Sequence, residues 1–271
     1  MNKSAVIAIC IALLLPLTGY FLMKGLSNKN IHPPRHFIYD TVITKKEKGK
    51  MVNDTIWHKI PDFNLTNQLG QQVSWDDMEG KVVVADFFFT SCPTICPRLT
   101  TNMKRLQESI HNSERVGNRE AGFVQFLSFS VDPERDSVAA LKKWADRFQI
   151  NPNNWWLLTG DKKEIYDLSL NHMKLGLVDG EGIDSNFLHT DYFVLIDRNR
   201  NIRGYYHGLD TAEVLKLSSD IIFLNLEKDP KRRSFFEGKL EIMAIAMLLA
   251  ILGAFLLIYF LRKGKPARPV N

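Results

Sequence analysis

Lys81 to Phe89 is an apolar run broken only by Asp86, and it limits the fold more than any other stretch of the chain. The run is too short and too β-branched for a buried helix, and it lacks alternation, which predicts a central strand covered on both faces. Thr90-Ser91-Cys92-Pro93-Thr94-Ile95-Cys96-Pro97 follows at its carboxyl end. Proline favours the first helical position, so the spacing predicts a helix from Pro97 with Cys96 as its N-cap. Exposed amides and the positive dipole end there lower a thiol's pKa, predicting that both cysteines are more thiolate-like than free cysteine. Two thiols four positions apart can close on each other as a disulfide or on one soft metal ion.

The remaining elements place this strand in an α/β layer. Residues 25–59 are polar and irregular, with His32-Pro33-Pro34-Arg35 as a stiff break and Lys45 to Lys50 as a charged turn between β-biased runs; they predict a linker ending in a hairpin. Ile60 to Leu65 reads as a short alternating strand turned back by Gln68 to Gln71. Leu99, Met103, Leu106 and Ile110 recur at helical spacing, which makes Met103 a core residue rather than a copper ligand. Gly117 and Asn118 lie in the loop beyond. Phe123–Val131 predicts a strand, Asp132 to Asp136 a turn whose Asp136 caps a helix over 137–149, and Trp155–Leu158 another strand. Asp161 and Glu164 form a capping arrangement for a helix from 162 to about 173, followed by a Gly- and acid-rich loop over 176–188. Tyr192–Ile196 and Ile202–Tyr206 flank a turn, and Asp210-Thr211 opens the closing helix. A parallel β-α-β order first, with a β-hairpin and helix last, is that of a thioredoxin-like sandwich with a central sheet flanked by helices.

Ser4 to Met23 and Ile242 to Leu261 are each 20 residues without a charge, about 30 Å as helices and long enough to span a bilayer. The first is expected to be an uncleaved anchor, because the apolar run exceeds the usual signal-peptide length and no A-x-A-like site closes it. The tail after the second holds Arg262, Lys263, Lys265 and Arg268 without an acid, which places it inside by the positive-inside rule. The expected organisation is an anchor over 1–24, the linker and hairpin over 25–59, a thioredoxin-like domain over 60–228, and a second membrane helix with a basic tail over 229–271. Two spans put the domain on the periplasmic side of a bacterial inner membrane. The formal charge is +5, yet residues 25–239 balance at 29 basic and 29 acidic side chains. The excess therefore flanks the membrane segments, and a nucleic-acid partner is disfavoured. Of three cysteines, Cys10 lies in the first apolar run, so no disulfide framework supports the domain.

In an α/β layer the usable crevice lies at the carboxyl ends of the parallel strands, where Cys92 and Cys96 stand. Among seven histidines, His189 precedes the strand at 192–196 on a loop that, in a thioredoxin-like topology, faces the start of the cysteine helix. Two thiolates and an imidazole suit Cu(I), and an added water or carboxylate extends the set to Cu(II). Zinc could use the same three groups with water. Asp132, Asp136 and Asp191 are candidates for orienting the ligands or for a fourth position, each with an alternative as a turn or cap residue.

Phe-Thr-Ser-Cys-Pro-Thr-Ile-Cys-Pro from Phe89, Ser-Val-Asp-Pro-Glu-Arg-Asp from Ser130 and the late His189 together closely resemble the Sco/SenC proteins, copper chaperones of cytochrome c oxidase assembly. The resemblance spans roughly residues 60–225. It implies a membrane-tethered thioredoxin-like domain in which Cys92, Cys96 and His189 bind one copper ion and deliver it to the binuclear copper site of an oxidase subunit. Other copper carriers or thiol reductases would be further partners. A second span departs from the family's usual single anchor, and Ser91, Thr94 and Ile95 differ from the histidine and acidic residues often found around its cysteines.

The main rival is a thiol–disulfide oxidoreductase acting on oxidase or other envelope cysteines. Ordinary thioredoxins use C-x-x-C and a cis-proline before the facing strand, whereas this chain has C-x-x-x-C and Leu188-His189-Thr190-Asp191. Peroxiredoxins need a proline seven and a threonine three positions before the reactive cysteine, and neither Cys92 nor Cys96 has them. A copper or redox sensor would use the same site.

Overall fold

The structure is a computed structural model that describes residues 33–47, 50–114, 122–175 and 190–227. Both expected membrane spans, the loop at 176–188, Gly117-Asn118 and His189 lie outside the described residues. Among the described residues no helix is long and apolar enough to cross a membrane.

A mixed α/β domain forms around one seven-stranded sheet. Its strands in chain order are β3 (Leu65–Asn67), β4 (Gln72–Val73), β5 (Val82–Phe88), β6 (Val124–Ser130), β7 (Trp155–Thr159), β8 (Tyr192–Ile196) and β9 (Ile202–His207). They lie in the order β4-β3-β7-β6-β5-β8-β9. The central pairs β5–β6 and β6–β7 are parallel, while β8 and β9 close one side as an antiparallel hairpin. The helices are α1 (Ile95–Glu114), α2 (Val138–Arg147), α3 (Lys162–Asp167) and α4 (Thr211–Leu226). Every residue of β5 is buried, as the unalternating run predicts.

Alternation along β5 divides the core in two. Val82, Val84 and Phe88 pack with Leu99, Met103, Phe126, Trp155 and Leu217 on one face, and both cysteines join this cluster. Val83, Ala85 and Phe87 pack with Phe63, Leu127, Phe129 and Leu168 on the other. Each fully buried phenylalanine contributes about 1.5–3 kcal/mol, and Phe88, Phe126, Phe129 and Phe193 are all among the largest such side chains. Met103 is fully buried in the first cluster.

Several boundaries differ from the sequence reading. Ile60 to Asn64 form no strand, and their neighbour Lys59 makes only an isolated bridge to Asn201; the strand starts at Leu65, where pairing with β4 begins, and β7 joins from Thr66. The cysteine helix starts at Ile95 rather than Pro97, so Cys96 lies in its first turn and is not the N-cap. Ser137, not Asp136, caps α2 by accepting from the Ala140 amide. The helix expected over 162–173 is α-helical only to Asp167 and continues as a π-type turn, Leu168–His172. The expected caps at Asp161 and Asp210 accept from the amides of Glu164 and Ala212 at 2.9 and 2.7 Å.

The predicted hairpin is β1 (Tyr39–Glu47) against β2 (Lys50–Trp57), a separate two-stranded sheet. It is more than a linker, because its base docks on the domain. The Phe37 amide donates to the Ile202 carbonyl, and the buried Arg203 guanidinium donates to Pro34 O while pairing with Asp197 and Glu227.

Gly208 marks the closest approach of the β9 end to α1. Its carbonyl accepts from Asn102 Nδ2 at 2.7 Å, and a Cβ there would stand 2.6 Å from Leu99 and 2.8 Å from Phe193. Gly208→Ala is therefore expected to lower stability by about 1–3 kcal/mol through overpacking, read as a shifted urea midpoint; an unchanged midpoint would show that the gap can open freely.

Candidate metal centre

Phe89 to Thr94 carry the chain from the end of β5 to the start of α1, and a buried carboxylate holds this crossing. Asp136 is fully buried. One of its oxygens accepts from the Thr90 amide at 3.0 Å and the Ser130 hydroxyl at 2.6 Å, the other from the Thr90 hydroxyl at 2.5 Å. The carboxylate thus joins the carboxyl ends of β5 and β6 two residues before the first cysteine. A buried charge is tolerated only when so satisfied.

Both thiols are free and buried, Cys92 at 4 % and Cys96 at 2 % exposure, beneath exposed Ser91, Pro93 and Thr94. Burial raises the Cys92 thiol, but hydrogen bonds from the amides of Cys96, Thr94 and Ile95 and from the Cys96 side chain outweigh it and bring the pKa down to about 6. Those amides are the donors that a helix start leaves free, so the sulfur occupies an anion position. Cys96 behaves oppositely. Burial pushes its thiol well above the ordinary value, and the neighbouring Cys92 thiolate and Asp86 charge add to the rise. The expectation that both thiols are acidified fails because burial dominates at Cys96, while Cys92 faces the free helix amides.

Asp86 is the polar group beneath the pair. It shares the β5 face of Val84 and Phe88, is 1 % exposed, and pairs across the sheet with Ser128. Burial pushes its carboxyl up to about 7, against a smaller lowering by a hydrogen bond with Ser128. The Ser128 hydroxyl also accepts from Trp155 Nε1 at 2.9 Å, and Asp86 Oδ1 has no partner. The donors available to an ion here are therefore one ready thiolate, one thiol that must lose a proton, and whatever third group approaches. A soft, low-coordinate ion fits that set.

The family model described as SCO1/SenC matches residues 55–219. The chain belongs to the SCO1/SenC family. It is 33% identical over 174 residues to the SCO1 protein homolog of Bacillus subtilis strain 168, a match covering 64% of this chain and 86% of that protein. A SCO1/SenC family lipoprotein from Bacillus anthracis strain Ames superposes with a TM-score of 0.51 at 33% identity, over 62% of this chain and 95% of that one. BsSco, described as a member of the Sco family of cytochrome c oxidase assembly proteins with a disulfide switch, superposes at 0.52 and 30% identity, over 65% and 98%.

Within this SCO1/SenC domain the three aspartates singled out in the sequence stand in different places. Asp136 braces the cysteine crossing as described. Asp132 shapes the turn, where its carbonyl accepts from the Arg135 and Asp136 amides and its carboxylate lies 3.6 Å from Arg135. Asp191 contacts His207 Nδ1 at 3.2 Å, and its carbonyl accepts from the Gly208 amide. His207 in turn meets the Tyr192 hydroxyl at 2.9 Å. Asp86 was visible in the sequence only as a charge interrupting an apolar run, although that signal, a carboxylate in a strand buried on both faces, marks an unusual environment by itself.

Two outcomes follow from the titrating groups. Alkylation of Cys92 by iodoacetamide should rise with a midpoint near pH 6 while Cys96 stays unreactive through neutral pH; equal reactivity of the two would refute the asymmetry. Asp86 ionises at 3.8 when unfolded and about 7 when folded, so the native state holds the extra proton between those values. Stability then falls as pH rises across that window, by up to roughly 1.4 kcal/mol per unit, and levels off above it. Asp86→Asn should flatten this slope in urea melts from pH 4 to 7.

Proposed function

We propose that this SCO1/SenC protein is a membrane-tethered metallochaperone that takes up one copper ion at Cys92, Cys96 and His189 and passes it to the copper-bearing subunit of cytochrome c oxidase during assembly. The observation that carries the reading is the unbonded thiol pair at the mouth of α1, with Cys92 acidified to about 6, in a chain of this family. Copper follows from the soft donor set and from what the motifs resemble. The oxidase as recipient is supported by BsSco being described as a member of a family of oxidase assembly proteins.

The two thiols divide the work of binding. Above pH 6 Cys92 offers a thiolate without losing a proton, so it makes the first bond to incoming Cu(I). Cys96 must shed its proton as it closes on the ion, which makes uptake release protons and strengthen with pH. Exchange with an external disulfide, which takes up the two electrons and leaves as two thiolates, forms the Cys92–Cys96 disulfide and removes both thiolate ligands. Copper release is then coupled to oxidation, a reading that the disulfide switch described for BsSco supports. Handover proceeds by ligand exchange at the exposed cover of Ser91, Pro93 and Thr94.

Spans at Ser4–Met23 and Ile242–Leu261 hold the domain at the outer face of the inner membrane, close to a membrane-bound oxidase. A second reading, a thiol–disulfide oxidoreductase on the same cysteines, draws support from the same asymmetry, because an acidified thiol beside a protonated one is the pattern of an attacking and a resolving thiol.

An anaerobic Cu(I) titration of the full chain in detergent separates the readings. The wild type should bind one ion tightly, and Cys92→Ser, Cys96→Ser and His189→Ala should each weaken binding at least tenfold. Full affinity in the histidine variant would refute the three-ligand site, and rapid reduction of insulin disulfides without tight copper binding would favour the oxidoreductase.

A further inference from the structure

A pair of nitrogen donors lies elsewhere on the fold. His58 directly follows β2, and His172 ends the π-type turn after α3, 114 positions later in the chain. Their rings are nearly parallel, at 10°, with centroids 5.5 Å apart and His58 Nε2 only 3.4 Å from His172 Nδ1. The centroid separation exceeds the nitrogen separation by about two ring radii, so the two nitrogens point at each other rather than the rings stacking.

The outer nitrogens each have a carboxylate partner. His58 Nδ1 lies 2.7 Å from Asp40 Oδ1, and His172 Nε2 lies 3.3 Å from Asp167 Oδ2. Asp167 is itself oriented by Asn171 Nδ2, 2.6 Å from its other oxygen. With each ring N–H on its carboxylate's side the inner nitrogens are bare and their lone pairs opposed; with one N–H turned inward the two nitrogens share it as a hydrogen bond. Two opposed lone pairs are relieved by a cation between them, either a shared proton or a metal ion. Carboxylate behind histidine is also the arrangement that orients imidazoles toward a metal. Tetrahedral zinc with 2.0–2.1 Å bonds holds its ligand nitrogens about 3.4 Å apart, the separation found here, with the ion set off the line between them; a small rotation of both rings aims their lone pairs at it.

We propose that His58 and His172 form a second metal site, for a borderline divalent transition ion of the Zn2+ class, separate from the thiol site. The described residues hold no group of three or more His, Cys, Asp or Glu around one point, so water completes the shell. The His58 and His172 side chains are 12% and 28% exposed, which leaves the ion a route in. His58 is a rigid ligand, because its amide donates to the Ile38 carbonyl and its carbonyl accepts from Asn201 Nδ2. A bound ion would staple the base of the β1–β2 hairpin to the π-type turn, and the π-type turn is what brings Asp167 and His172, five positions apart, together.

The test uses the full chain in detergent carrying Cys92→Ser and Cys96→Ser, so that the thiols cannot compete, titrated with Zn2+ by calorimetry. One ion per chain is expected to bind, with a concentration-dependent rise in melting temperature. His58→Gln and His172→Gln should each abolish both signals, and Asp40→Asn should weaken binding 10–100-fold. Ring-nitrogen NMR shifts of His58 and His172 on adding Zn2+ report the site without any histidine substitution. Absence of saturable binding, binding unaffected by His58→Gln, or zinc-insensitive ring nitrogens would overturn the proposal.

Discussion

The cysteine crossing depends on one buried carboxylate. Asp136 accepts from the Thr90 amide, the Thr90 hydroxyl and the Ser130 hydroxyl, and these three bonds compensate a charge that burial alone would make costly by several kcal/mol. Ser130 is held in turn as an acceptor from the Asp132 amide. The end of β5, the end of β6 and the turn before α2 therefore meet at one anionic point. A hydroxyl or apolar side chain in its place could not accept all three donors. Because Thr90 is pinned, the backbone reaches Cys92 in a set position, and the Cys92 amide closes onto the Phe89 carbonyl at 3.2 Å.

That fixed geometry creates the difference between the thiols. Both are almost equally inaccessible to solvent, yet Cys96 lies deeper and desolvation drives its thiol up, while the free helix amides outweigh a shallower burial at Cys92. Cys92 lies before the helix and gathers three amide donors. Cys96 lies within its first turn, over a strand that carries Asp86. Accessibility would rank the pair as alike; depth of burial at Cys96 and amide hydrogen bonds at Cys92 rank them as opposites. A dithiol so divided holds one electron-rich ligand ready while keeping the second protonated until an ion or an oxidised sulfur draws it out.

The sheet and its order were readable because their signals are redundant. An unalternating apolar run at Lys81 to Phe89, periodic Leu99, Met103, Leu106 and Ile110, and the caps at Asp161 and Asp210 each act locally and agree with one another. Failures occurred where a tertiary contact overrode a local rule. Pro97 signals a first helical position, yet the helix begins two residues earlier, where the Cys92 sulfur satisfies amides that Pro97 cannot offer. Asp136 has the chemistry of a cap, but its carboxylate is taken by Thr90, and Ser137 caps instead. The candidate ligands Cys92 and Cys96 could be named from spacing alone; their opposed acidities could not, since they depend on Asp86 lying across from Ser128 and on the direction of three amides.

The same logic distinguishes the histidines. Sequence separates them only by neighbourhood, and His58 and His172 have nothing in their neighbourhoods to connect them. Antiparallel register in the hairpin sets Tyr39 opposite Trp57, which carries Asp40 and His58 to the same end, while the π-type turn delivers His172 to them. Each imidazole then has a carboxylate behind it and another imidazole before it. A solvated surface histidine satisfies its second nitrogen with water at no cost; a pair whose protons are both drawn outward leaves two acceptors facing each other, and that electrostatic debt is the physical reason to look for a cation there.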